Sequence, residues 1–199
     1  MVRSIAAFLI AVVSTVAFAQ APTPVRIRGT VEKLDGNQLS VKTRDGQAMT
    51  VRMADNFAVM GIVKASVADI ATGRFIGTTT VGERNGALVA EEVHIFPEAM
   101  RGTGEGHYAW DLKPTSMMTN ANVADIVSVS SDRVLTVQYK GGEKKILVTD
   151  ATVIVSYAPT DKSELKPGAP IFMVSQKQPD GSLTAARVNV GLKGQVPPM

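Results

Sequence analysis

Apolar and polar residues alternate one by one along much of this chain after residue 24. In Val25–Leu34 the apolar side chains fall on one side and charged ones such as Arg26 and Arg28 on the other. Such alternation predicts a half-buried β-strand. The dipeptides Asp45-Gly46 and Asn85-Gly86 favour tight hairpin turns. Strands therefore recur about every 8–12 residues, which predicts an all-β fold with a small barrel or sandwich.

This pattern occurs twice along the chain. Leu39–Val41 recurs as Leu135–Val137 at an offset of 96 residues, and Asn85-Gly86 recurs as Asp180-Gly181 at an offset of 95. Matching turns and apolar positions over a whole domain length indicate a tandem duplication. The predicted division is, in order, a first OB-like β-barrel (25–96), a linker rich in glycine and aromatic residues (97–121), a second OB-like β-barrel (122–191) and a flexible tail (192–199).

The first nineteen residues have the features of an export signal. Arg3 precedes the apolar run Ile5–Val16, and Ala17-Phe18-Ala19 fits a small-residue cleavage site. We therefore expect residues 1–19 to be a cleaved signal peptide and the mature protein to be periplasmic. After this segment no apolar run of the sequence reaches the length of a membrane-spanning helix, so no membrane span is expected in the mature protein.

Composition and charge narrow the function classes. The chain has a formal net charge of +3 and no cysteine, so the mature fold cannot use disulfides and depends on its core. The basic excess is spread along the sequence. The predicted second and third strands, Gln38–Met53, also contain no aromatic residue that could stack on bases. Nucleic-acid binding is therefore not expected.

The turn and core positions also carry a resemblance to a known family. They follow the pattern Gly29-x-Val31-x-x-Leu34-Asp35-Gly36-Asn37-x-Leu39-x-Val41. This pattern resembles a family of small exported bacterial domains of unknown function, often in tandem, that look like OB-fold barrels. Segments 104–112 and 118–121 are similar to proteobacterial members labelled as metal-transporter components. The resemblance implies an exported barrel and agrees with a soluble accessory role, whereas the hydropathy excludes a permease.

The rarest side chains of the sequence lie together in the predicted linker. It contains the single tryptophan, Trp110, and one of the two histidines, His107, together with Tyr108 and Asp111. Binding pockets commonly form where domains meet. We therefore predict that these four residues form a ligand site where the linker meets the barrels, for a small molecule or a periplasmic protein. The alternative is structural, with His107 and Trp110 fixing the linker to the barrels.

His107 also has candidate metal ligands close to it in sequence. Imidazole with thioethers suits Cu(I), and imidazole with carboxylates suits Zn(II). No cofactor is expected, and the alternative is a Cu or Zn ion held by His107, Glu105, Met100, Met117 and Met118. Against a metal site, the two histidines do not share a ligand spacing, and methionine often fills irregular gaps in a core.

Glu92 and His94 lie two residues apart, so their side chains share one face of a predicted strand. The second half has Arg187 and Asn189 at the equivalent positions, and an exposed salt pair is expected. The sequence has no Gly-x-Ser-x-Gly motif and only two histidines as candidate bases, so no enzyme activity is expected. The expected function is a non-catalytic exported binding or scaffold module. The alternative is a metal-handling accessory protein that uses His107.

Overall fold

The computed structural model describes residues 23–199, and the predicted signal peptide, residues 1–19, lies outside them. This part of the chain consists of β-strands and three single-turn 3-10 helices, without an α-helix. The strands are β1 (Thr23–Asp35), β2 (Gln38–Thr43), β3 (Ala48–Lys64), β4 (Phe75–Arg84), β5 (Ala87–Ile95), β6 (Gly106–Ala109), β7 (Met117–Val129), β8 (Asp132–Tyr139), β9 (Gly142–Val148), β10 (Val153–Pro159), β11 (Pro170–Lys177) and β12 (Leu183–Gly191). The 3-10 helices are Val67–Asp69, Glu98–Met100 and Lys162–Glu164. The predicted all-β fold is confirmed.

No helix within residues 23–199 has the length and apolar character needed to cross a membrane.

The first barrel is a closed ring of five strands in the order β1, β2, β3, β12 and β11. Neighbouring strands are antiparallel except β12 and β3, which run parallel and close the ring. Alternate side chains of each strand point inward, and their burial is the main stabilising contribution to such a barrel. The buried residues of this core include Ile27, Val41, Val51, Met173 and Val188. Five strands in one closed ring agree with the predicted OB-like barrel.

A second closed circuit contains β4, β5, β9, β8 and β7, in that order around the ring. It closes through a short parallel contact between β5 and β9, in which Leu88 faces Ile146 and Val89 faces Leu147. Its buried residues form a cluster of their own, which includes Ile76, Val93, Ala121, Leu135 and Ile146. Each ring therefore has its own apolar interior.

Each barrel takes strands from both halves of the sequence. The hairpin β11–β12 completes the ring begun by β1–β3, and the hairpin β4–β5 completes the ring formed by β7–β9. The two barrels therefore do not coincide with the predicted domain ranges 25–96 and 122–191. Alternation specifies which face of a hairpin is buried, but not which of two equivalent hairpins covers a given core. The sequence pattern is compatible with either connection.

Strands β3 and β10 connect the two barrels. β3 is 17 residues long, pairs with β2 at its start and with β10 at its end, and β10 pairs in turn with β5. In the β3–β10 pair Ile62 lies opposite Tyr157, and these positions are 95 residues apart, the offset of the sequence repeat. This antiparallel pair therefore brings positions that correspond in the sequence repeat opposite each other.

The last residues of the sequence pack against the barrels, which contradicts the flexible tail predicted for 192–199. Met199 is 3% exposed and belongs to an apolar cluster between β3, β10 and β11. Its main-chain oxygen accepts a hydrogen bond from Arg28 Nε, and the carbonyl oxygen of Pro197 accepts one from Arg44 Nη2 at 3.0 Å. Apolar burial and two paired carbonyl groups hold this segment in place.

The predicted linker, residues 97–121, contains regular structure. β6 pairs with the first residues of β7, and β7 begins at Met117, inside the predicted linker. The start of β7 also pairs with β4, which makes it part of the second barrel. The connection between the two halves is therefore built into the fold, and β6 lies beside the space between the barrels.

Candidate functional site

A cavity of about 990 Å³ lies between the two barrels, bordered by the segment that contains β6. Its walls are mainly the outer faces of strands, although Met53, Met173 and Ala185 of the first-barrel core also border it. Because Val93 and Ile95 of β5 point into the second barrel, their neighbours His94 and Phe96 point out of it. The same alternation turns Asn189 of β12 outward from the first barrel. Equivalent strands of the two rings thus face the same cavity.

Four buried side-chain atoms within residues 23–199 have no hydrogen-bond partner in the protein, and all four belong to residues that line the cavity. They are Arg26 Nε, Trp110 Nε1, Asn120 Oδ1 and Asn189 Oδ1. A buried polar atom without a partner costs about 1–3 kcal/mol, and native proteins contain few of them. Because all four residues surround one cavity, this cavity is the candidate functional site.

Glu92 and His94 form a buried pair on the second-barrel side. His94 Nδ1 lies 3.0 Å from Glu92 Oε1, and Glu92 Oε2 accepts a hydrogen bond from Thr79 Oγ1 at 3.2 Å. The expected exposed salt pair is wrong, because Glu92 is 1% and His94 2% exposed. The other barrel and the linker segment cover this outer face of β5. In the neutral imidazole, a carboxylate beside Nδ1 favours the tautomer with its proton there, and Nε2 is then a hydrogen-bond acceptor.

Asn120 lies next to His94 across Gly77. A Cβ at Gly77 would lie 2.5 Å from Asn120 Oδ1 and closer still to His94 Nε2, so these two atoms lie near each other over the Gly77 backbone. Asn120 Nδ2 donates to the carbonyl oxygen of Thr103 at 3.1 Å and to the hydroxyl of Tyr108 at 3.4 Å. Because a carbonyl can only accept, this contact fixes the amide with Oδ1 towards Gly77. Two acceptors therefore stand side by side.

Arginine and tryptophan form the corresponding region on the first barrel. The guanidinium carbon of Arg26 lies 3.9 Å from the ring centroid of Trp110, a cation–π contact. Asp111 fixes this region, because its Oδ1 accepts from Arg28 Nη2 at 2.7 Å and its Oδ2 lies 3.8 Å from Arg26 Nη1. Burial opposes ionisation of Asp111, but the hydrogen bond from Arg28 and the two arginine charges outweigh it and lower its pKa.

Aromatic side chains line the space between these two regions. Phe96 and Tyr157 stack with their centroids 5.4 Å apart, and the ring of Trp110 lies 6.4 Å from that of Phe172. Burial raises the pKa of Tyr157, and the negative charge of the nearby Glu92 raises it further, so the phenol is neutral. The cavity therefore combines an apolar middle with polar groups on two sides.

The structure divides the four predicted ligand residues into two pairs. Tyr108 and Trp110 line the cavity. His107 alternates to the other face of β6, where its Nδ1 lies 2.8 Å from Thr119 Oγ1. Burial, and to a smaller extent the positive charge of Lys144, lowers the pKa of His107. Asp111 acts indirectly, through its contacts with arginine.

The predicted metal ligands are likewise divided between two faces. Met100 and Met118 line the cavity, whereas Met117 lies on the face of β7 that carries the partner of His107. The Glu105 carboxylate accepts a hydrogen bond from the backbone N–H of Lys140 at 2.9 Å. In the part of the chain that the structure describes, no three His, Cys, Asp or Glu side chains form a group that could hold a metal ion.

Several cavity residues were not predicted from the sequence, namely Arg26, Asn120 and Asn189. A polar residue on the outer face of a strand has the ordinary pattern of a solvent-exposed position. Only the packing of one barrel against the other shows that these positions are covered. The signal that was present is the contrast between Glu92 and His94 and their equivalents in the second half.

In comparisons with known proteins, no family model, no curated protein and no solved structure matches this chain.

Proposed function

We propose that the protein is a non-catalytic, exported binding protein that holds a small molecule in the cavity between its barrels. The proposal rests on four unpartnered polar atoms, all of which belong to residues that line this cavity. Two of them belong to Asn120 and Asn189, which are 6% and 7% exposed. Unpartnered polar atoms in such deeply buried side chains are rare in native proteins. The proposed periplasmic location rests on the export signal in residues 1–19.

The size and lining of the cavity support a small molecule over a protein partner. Ligand pockets typically measure about 300–1,000 Å³ and combine an aromatic lining with a few placed polar groups. The volume here, about 990 Å³, is at the upper end of that range. The aromatic lining consists of Phe96, Tyr108, Trp110, Tyr157 and Phe172. Binding, rather than a scaffold role, is therefore the proposed activity.

The surroundings of His94 support binding without catalysis. Among residues 23–199 the hydrogen-bond partner of His94 is Glu92, and Thr79 donates to Glu92 rather than to the imidazole. Nucleophilic catalysis needs a hydroxyl or thiol within reach of the base. We propose that His94 accepts a hydrogen bond from the ligand through Nε2.

A metal-handling accessory role is the second candidate. It is favoured by the methionines, because Met100, Met118 and Met199 line this cavity, and Met53 and Met173 of the first-barrel core also border it. Thioethers suit Cu(I), and His94 is the imidazole that shares the cavity with them. The set centred on His107, with Cu(I) or Zn(II), stays a prediction from the sequence.

Protein purified from the periplasm of its native host, without denaturation, distinguishes these candidates. Native mass spectrometry should detect a bound organic molecule that is lost after unfolding and refolding, and elemental analysis should detect no stoichiometric metal. His94→Gln should reduce the occupancy. His107→Gln is the matched control, because this histidine lies outside the cavity, and it should retain the molecule.

Each candidate function predicts a different result of this experiment. Stoichiometric copper or zinc that is lost in His94→Gln would favour the second candidate. A cavity that contains water alone, with neither an organic molecule nor a metal in the purified protein, would reject both.

A further inference from the structure

We infer that the cavity selects organic anions that carry an apolar ring and a hydroxyl or amino group. The negative group would lie against the first barrel and the hydrogen-bond donor against the second. This inference rests on the proposed binding function and adds the chemical class of the ligand.

The first-barrel side presents hydrogen-bond donors. Arg26 Nε and Trp110 Nε1 are both N–H groups, both are buried, and both lack a partner within residues 23–199. The cation–π contact holds the two side chains together, with 3.9 Å between the guanidinium carbon and the ring centroid. An N–H group cannot accept a hydrogen bond, so the ligand must supply acceptor atoms at this point.

Positive charge is in excess on the same side. Leaving His94 aside, the charged residues that line the cavity are Arg26, Arg52 and Arg187 against Asp55, a balance of three to one. Asp111 compensates Arg28 more closely than Arg26, because its oxygens lie 2.7 Å from the former and 3.8 Å from the latter. Uncompensated guanidinium groups favour a carboxylate over a neutral acceptor.

The second-barrel side presents acceptors. His94 Nε2 and Asn120 Oδ1 lie near each other over Gly77, both residues line the cavity, and the Glu92 carboxylate lies behind His94. Two neighbouring acceptors backed by a carboxylate repel an anion and need a donor between them. The hydroxyl or amino group of the ligand meets this requirement. The stacked rings of Phe96 and Tyr157 favour a flat apolar body between the two ends.

Thermal shift and calorimetry with three aromatic hydroxy acids of increasing length test the inference on the full mature chain. The probes are 4-hydroxybenzoate, 4-hydroxyphenylacetate and 3-(4-hydroxyphenyl)propionate, each compared with its amide and with the acid that lacks the hydroxyl. At least one acid should bind about 10- to 100-fold more tightly than its amide, which is the range for a hydrogen bond to a charged group. The acid without the hydroxyl should bind more weakly as well.

Variants test which residue recognises each end of the ligand. Arg26→Gln should remove the preference for acid over amide, and His94→Gln should weaken the preference for the hydroxyl while His107→Gln changes neither. Amides that bind as tightly as the acids, or no binding by any of the three acids, would overturn the inference. A neutral or cationic molecule found in the natively purified protein would also overturn it, yet would leave the proposed binding function standing.

Discussion

Gly77 and His94 lie so close together that a side chain at position 77 would occupy the space of the imidazole. A Cβ on Gly77 would lie 2.5 Å from Asn120 Oδ1 and nearer still to His94 Nε2. Neither neighbour can move freely, because Glu92 holds the imidazole and Thr103 holds the amide. The glycine is therefore required by the groups that form the second-barrel side of the cavity.

Gly77→Ala should destabilise the protein and abolish ligand binding. Forcing one methyl group into a packed site costs about 1–3 kcal/mol, and here it also displaces the two acceptors. Urea unfolding measures the first effect and calorimetry the second. Gly142→Ala is the control, because its Cβ would meet only the end of the Tyr139 side chain, at 3.1 Å. A Gly77→Ala protein as stable as the parent would contradict the assigned geometry.

The exchange of hairpins predicts that the two halves of the chain depend on each other. Fragments 23–104 and 105–199 each lack the hairpin that completes their ring in this structure. Separately they should be unfolded or aggregated, and mixed they should regain the β-sheet circular dichroism of the intact chain as a one-to-one complex. A chain cleaved only after assembly, at a protease site placed between 104 and 105, is the control and should stay associated. A folded monomeric 23–104 would show that each half can close on its own hairpin.

Met199→Ala should lower the stability more than its place at the end of the sequence would indicate. The side chain is 3% exposed within the cluster between the barrels. Replacing a buried methionine by alanine typically costs about 2–5 kcal/mol, and we expect the lower end because a terminal segment can relax. Val196→Ala, at a residue 51% exposed, should change the unfolding free energy by less than about 0.5 kcal/mol. Equal effects of the two substitutions in urea unfolding would contradict the packing of the tail.

His107 should make the protein less stable in mild acid. Burial, followed by the charge of Lys144, lowers its pKa in the folded state below the ordinary value of 6.5. The unfolded chain therefore takes up this proton at a higher pH than the folded chain does, so the stability that His107 contributes is complete above about pH 6.5 and declines as the pH falls. Between about pH 7.5 and pH 5, the free energy of unfolding, measured in urea, should fall less for His107→Gln than for the parent protein. Because His94 is present in both proteins, the difference between their free energies of unfolding reports on His107. Identical slopes of the unfolding free energy against pH would contradict the prediction.

The fold class follows from local sequence features, whereas the connection of the two barrels does not. The Asp45-Gly46 and Asn85-Gly86 dipeptides lie in turns between the strands that alternation predicts. The choice between the hairpins β4–β5 and β11–β12 is a long-range one, because both present a similar apolar face. The buried Met199 was missed for a related reason, since a short segment with prolines carries no periodic pattern.

The candidate site could be predicted only in part. Rarity in the sequence identified Tyr108 and Trp110, which line the cavity, but the same criterion also selected His107, which alternation places on the opposite face of β6. Arg26 and Asn189 stand on the outer faces of strands, where polar residues normally meet water. Their burial is a property of the packed pair of barrels and not of either strand.

The two sides of the cavity come from equivalent strands but differ in chemistry, since Glu92 and His94 on one correspond to Arg187 and Asn189 on the other. Two identical subunits would place the same groups on both sides of such a cavity, so a ligand could bind there in either of two orientations. Under the proposed binding function, the unequal sides give the cavity two chemically different ends. A ligand that fits would then bind in a single orientation, and a substitution at one end would leave recognition at the other end intact.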